Sequence, residues 1–155
     1  MKLYRTSIII FQLGLFVSGV TAFFIPQGIS TVQKIVHFIA PSLSVWLEYV
    51  SHGIHSTNQN FEFIYYGTDW LAFAHILFAI LFIGPLIKPN ENKWVLQFGI
   101  IACLLIFPLA FFAGEVRDIP LIWRFLDMSF GIIGLAVLGL AFFQLPKLSS
   151  NYVSQ

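Results

Sequence analysis

The stretch Leu121-Ile122-Trp123-Arg124-Phe125-Leu126-Asp127-Met128-Ser129-Phe130-Gly131 sets two opposite charges one helical turn apart inside a long apolar run. That run, 119–145, has the roughly 20 residues that a helix needs to cross the hydrocarbon of a bilayer. Charge at such a depth is costly. It therefore turns toward the interior of a helix bundle and marks a place for binding, proton transfer or structural pairing. Three further runs of similar character lie upstream, at 6–25, 70–87 and 94–114. Together they predict an all-α fold: an integral membrane four-helix bundle with four transmembrane helices, forming a single membrane domain over 1–155.

Composition agrees with lipid as the solvent. Of 155 residues 58% are hydrophobic and only 10% charged, against about 25% charged in a soluble domain. The net charge is +1, and no basic cluster suits nucleic acid or anionic headgroups. Cys103 is the single cysteine, which leaves no intrachain disulfide and no thiol metal site. Lys2 and Arg5 ahead of the first run look like a signal-peptide n-region. The run ends, however, in Phe23-Phe24-Ile25-Pro26 rather than in a small-x-small cleavage site, so it is read as a retained span.

Lysine and arginine near the span ends set orientation. With the N-terminus inside, Lys2, Arg5, Lys88, Lys93 and Lys147 fall on the inner side, and Lys34 and Arg117 on the outer side. The bias places both termini in the cytoplasm and suits a bacterial inner membrane. The first outer segment, 26–66, is too polar to span and too apolar for a free linker. Val32, Ile35, Val36 and Ile39 recur at helical spacing, as do Leu43, Trp46, Leu47 and Val50 beyond Pro41. Two short amphipathic helices capping the outer end of the bundle are expected, the second capped by Ser42 and ending at a polar turn over 56–60. Thr68 or Asp69 is the expected N-cap of the second span.

Helices in lipid associate through small residues that allow close approach. The expected stripes are Gly14, Ser18 and Ala22 on the first span and Ala72 and Ala79 on the second. The third offers Gly99, Cys103, Ala110 and Gly114; the fourth, Gly131, Gly134 and Ala141. Steps of three and four residues carry the last stripe up to Asp127 and Arg124. Aligning Trp70 with Trp123 at the outer interface puts Asp127 level with the residue beside His75. The candidate site is therefore Asp69, His75, Arg117, Arg124 and Asp127, with Glu115 and Asp118 at its mouth.

Several chemistries compete for this constellation. Balanced charges can lock helix ends, or they can hold the polar head of a lipid or amphipathic small molecule. His75 and Asp127 are the catalytic candidates, an acid–base pair for a membrane enzyme acting on a lipid-like substrate. The same two residues could titrate in an oligomeric proton-coupled transporter. Haem would require His75 to pair with His37, His52 or His55 from the outer segment, and His52-Gly-Ile-His55 alone is a weak zinc signal, so no cofactor and no metal is expected. The leading expectation is a small membrane protein with a charge-lined outer pocket for a lipid or amphipathic ligand, or an accessory subunit. Its partners would be membrane lipid, its own copies or a larger membrane complex, and not nucleic acid.

Overall fold

A computed structural model of the chain describes residues 1–153, with side chains placed through Leu145. Among the described residues the secondary structure is helical, with no strand. The order is α1 (Lys2–Ala22), α2 (Ile25–Ile39), α3 (Pro41–Asn60), a 3-10 turn (Glu62–Ile64), α4 (Tyr65–Leu81), α5 (Ile83–Ile87), α6 (Lys93–Val116) and α7 (Leu121–Val153). Among the described residues four stretches are long and apolar enough to cross a membrane: Lys2–Ala22, Glu62–Ile87, Lys93–Val116 and Leu121–Leu145. In each the greater part of the apolar surface is exposed, as at Leu13, Phe16, Leu105, Leu109, Ile132 and Ile133. Contiguous exposure of this kind is untenable for a monomer in water and natural in hydrocarbon. It indicates a membrane protein.

Several boundaries differ from the expectation, each for a local reason. The second span begins earlier than expected, at the 3-10 turn and Tyr65, so neither Thr68 nor Asp69 is its N-cap; the Thr68 hydroxyl instead donates to the Tyr65 carbonyl at 2.8 Å. The same span breaks at Phe82, three residues before Pro85, whose missing N–H cannot serve a carbonyl in the turn before it. Helix α3 starts on Pro41 with Ala40 at its N-cap and no side-chain cap, so Ser42 lies inside the first turn. It then runs through the expected polar turn to Asn60, whose amide donates back to the Ser56 carbonyl. Helix α7 continues through Pro146 to Val153, beyond the apolar run 119–145. The Lys147 side chain, assigned to the inner face, lies outside the described residues.

The chain divides into two compact units. The first comprises Met1–Gly14 and the chain from Phe78 onward. Its centre is the antiparallel α6–α7 pair, closed by small residues on facing sides. A methyl group added at Gly134 would stand 2.5 Å from Cys103 Sγ, and one at Gly131 would stand 2.9 Å from the Cys103 carbonyl. Gly99 similarly receives Leu138 and Phe82. The start of α1 packs here through Tyr4 and Ile8. The Tyr4 hydroxyl donates to the Pro85 carbonyl at 2.9 Å, and the Gln12 amide donates to the Ala79 carbonyl at 2.8 Å.

The second unit, Leu15–Leu77, holds the end of α1, the α2–α3 hairpin and the first turns of α4. Ile29 on α2 and Leu47 and Ser51 on α3 are buried, whereas Val32, Ile35 and Ile39 of the expected α2 stripe are exposed. The close contact between α1 and α4 is made at Gly19, where a Cβ would lie 2.8 Å from the Ala72 carbonyl. Gly14 and Ser18 are exposed, and a Cβ at Gly14 would meet nothing. The packing face of α1 is thus the one bearing Gly19, not the Gly14–Ser18–Ala22 stripe. In a helix that is apolar all round, spacing alone does not select among faces.

Candidate functional site

In the first unit Glu115, Arg117, Asp118 and Arg124 lie at the turn between α6 and α7. Helix α6 ends in a Schellman motif. The Ile119 N–H reaches the Gly114 carbonyl at 2.9 Å and the Asp118 N–H the Glu115 carbonyl at 3.2 Å. Asp118 takes the left-handed conformation that this motif requires, with φ 52°, a position more often filled by glycine. Pro120 comes next, and its carbonyl accepts the N–H of Trp123 at 2.9 Å, which starts α7.

Arg124 folds back over this turn. Its stem lies on Gly114, where an added Cβ would stand 2.6 Å from the Arg124 Cδ. Its Nε donates to the Ile119 carbonyl at 2.6 Å, and its Nη1 pairs with the Glu115 carboxylate. Only 8% of Arg124 is exposed, although Glu115 is open to its surroundings. Through these two charge-assisted bonds the guanidinium ties α6, the turn and α7 together. The carboxylate partner is therefore Glu115, nine residues back, rather than Asp127 one turn ahead. Asp127 lies at three- and four-residue steps from the buried Arg124, Gly131 and Gly134, yet it is exposed. Arg117, the C-cap of α6, is exposed as well.

The second unit presents a different arrangement. Where α1 passes into α2, and α3 passes through the 3-10 turn into α4, the chain encloses a cleft of about 420 Å³. Asp69 and Glu62 supply two carboxylates to its lining, and Gln27, Asn58 and Thr68 supply neutral polar groups. Phe23, Phe63, Tyr65 and Tyr66 supply rings. The Tyr65 hydroxyl donates to the Ile54 carbonyl at 2.9 Å, which pins the start of α4 to the last turns of α3 and fixes one wall. A second recess of about 260 Å³ adjoins the first. It shares Phe23, Tyr66 and Asp69 with the cleft and is completed by Trp70 and Phe73. Asp69 thus stands where a polar cleft gives way to an aromatic groove. Edge-to-face contacts of Trp70 with Tyr66 and with Phe73, at 6.0 and 6.2 Å between centroids, hold the groove rings in order.

His75, two turns further along α4, is half-buried. Its Nδ1 carries a proton to the Leu71 carbonyl at 2.8 Å, which leaves Nε2 as the acceptor of the neutral ring. In the α2–α3 hairpin, His55 makes the same kind of bond to the Ser51 carbonyl at 2.8 Å.

Of the expected site residues, then, the α6–α7 hairpin carries Arg117, Arg124 and Asp127, and α4 carries Asp69 and His75. The cleft residues Gln27, Asn58 and Glu62 were not singled out from the sequence. They come from three separate segments and share no periodicity, so no pattern marks them. The sequence matches no protein-family model, and comparison with curated proteins and with solved structures gave no match.

Proposed function

We propose that the protein is a small integral membrane protein of a bacterial inner membrane that binds a lipid or amphipathic small molecule at the outer end of a four-span bundle, alone or as an accessory subunit of a larger membrane complex. The observation that carries this reading is the pairing of a polar cleft with an aromatic groove through shared Asp69, Phe23 and Tyr66. A ligand with a polar head and an apolar tail has matching surroundings for both ends there. A recess of about 420 Å³ also falls within the usual range for small-molecule sites.

Asp69 is the ligand contact in this proposal, with half-buried His75 on the same helix as a further polar group. Arg124 braces the α6–α7 turn, and Arg117 and Asp127 are exposed polar groups of that hairpin. The excess of lysine and arginine on one set of span ends supports an inward N-terminus. The α2–α3 hairpin, with Val32, Ile35, Phe38 and Ile39 exposed, suits a cap lying at the outer interface.

Two experiments test the reading. Small molecules co-purified with the wild type and with Asp69→Asn should be compared by mass spectrometry. A species present in stoichiometric amount with the wild type and depleted in the variant supports the site; equal amounts in both remove Asp69 from it. Cysteine labelling tests the orientation: Thr57→Cys should react from outside in intact cells and Asn90→Cys should not. The opposite pattern inverts the topology.

A further inference from the structure

We infer that the cleft between α1–α2 and α3–α4 takes a cationic head, an organic ammonium borne on an apolar tail. The inference rests on the amphiphile-binding reading and specifies the ligand's charge. Glu62 and Asp69 line one recess, and within their own unit neither carboxylate has an ion-pair or hydrogen-bond partner among the described residues. No lysine, arginine or histidine is among the lining side chains. An anionic head would add a third like charge, whereas a cation would be attracted by both carboxylates.

The aromatic lining separates an organic cation from a metal ion. Calcium and magnesium require six or more oxygen ligands at short range. Among the described residues no group of three or more histidine, cysteine or acidic side chains is placed to hold a metal ion, and Phe23, Phe63, Tyr65 and Tyr66 are among the lining residues. Ring faces attract ammonium groups, and quaternary ammonium most characteristically, because the π-cloud is negative and the cation sheds little hydration. The volume exceeds the needs of a bare ion and accommodates a substituted ammonium. From Asp69 the groove of Trp70 and Phe73 continues, so a tail attached to the head has an apolar path.

The test uses the full chain in dodecyl maltoside micelles, titrated with dodecyltrimethylammonium, dodecyl phosphate and tetramethylammonium, with tryptophan fluorescence as readout. Dodecyltrimethylammonium should bind saturably and at least tenfold more tightly than dodecyl phosphate. Tetramethylammonium, which has the head without the tail, should bind at least tenfold more weakly than the tailed cation. Asp69→Asn should weaken the tailed cation about tenfold, and Tyr66→Leu, which keeps apolar bulk and removes a ring, about threefold. Unchanged helicity and melting temperature would show that both variants fold. Equal or tighter binding of dodecyl phosphate, or displacement of the tailed cation by micromolar calcium, overturns the cationic assignment and leaves amphiphile binding standing. Absence of saturable binding by either tailed probe removes the amphiphile reading as well.

Discussion

The α6–α7 turn and the start of α4 both carry charge at the ends of apolar helices, and they treat it in opposite ways. At the α6–α7 turn, Arg124 is buried, its stem lies on Gly114, and its Nε and Nη1 donate to the Ile119 carbonyl and the Glu115 carboxylate. At the start of α4, Asp69 and Glu62 line an open recess with no cation among its walls. The first pattern joins the two sides of its own turn through Nε and Nη1 and acts as a brace. In the second, neither carboxylate has a partner within its unit among the described residues. Charge near a span marks a site only when its bonds remain available. Whether a charged group has a partner within its own unit, more than its presence, distinguishes brace from pocket.

The contrast is most open to challenge at Arg124. Arg124→Ala should lower the stability of the detergent-solubilised protein by about 3 kcal/mol, because it removes charge-assisted bonds and strands the Ile119 carbonyl. Arg124→Lys should recover less than half, since a single ammonium cannot reproduce the planar fork. Reversible unfolding followed by circular dichroism measures both. A loss below about 1 kcal/mol for the alanine variant would show that the brace contributes little.

Next in size is Gly114→Ala. The new Cβ would crowd the Arg124 stem and should cost about 1–2 kcal/mol, as overpacking does. The three nearest atoms all belong to Arg124, so the same change in an Arg124→Ala background should be close to neutral. A double-mutant cycle returning additive effects would place the conflict elsewhere. On the pocket side, Tyr65→Phe deletes the hydroxyl bond to the Ile54 carbonyl and should cost about 1 kcal/mol. It should also loosen ligand binding by releasing one wall. Smallest of all, Asp69→Asn and Glu62→Gln should change stability by no more than about 0.5 kcal/mol, because neither acid has a partner to lose within its unit.

How much of this was legible in the sequence depended on whether a feature repeats. The four spans could be read from length and composition alone. So could the small-residue faces of α6 and α7, because Gly99, Cys103 and Gly114 on one helix and Gly131, Gly134 and Ala141 on the other keep helical spacing and all are buried. On α1 the same method selected Gly14, and the close approach is at Gly19. Apolar residues surround both glycines, so nothing local distinguishes a face turned to lipid from one turned to protein. Arg124 was legible as a buried charge, but its partner was not. Glu115 was read only as part of the mouth, and the chain reversal at Asp118 is what brings it onto Arg124. The cleft was legible only through Asp69, since the other residues converge from the α1–α2 junction, the end of α3 and the 3-10 turn.

Whether Arg124 braces while Asp69 binds can be decided by measuring the unfolding midpoint and the dodecyltrimethylammonium affinity together on Arg124→Ala and Asp69→Asn. A crossed result is expected: Arg124→Ala lowers the midpoint strongly, and Asp69→Asn keeps the wild-type midpoint while losing about tenfold in affinity. A destabilised Asp69→Asn protein that still binds as tightly as the wild type would refute this division of roles.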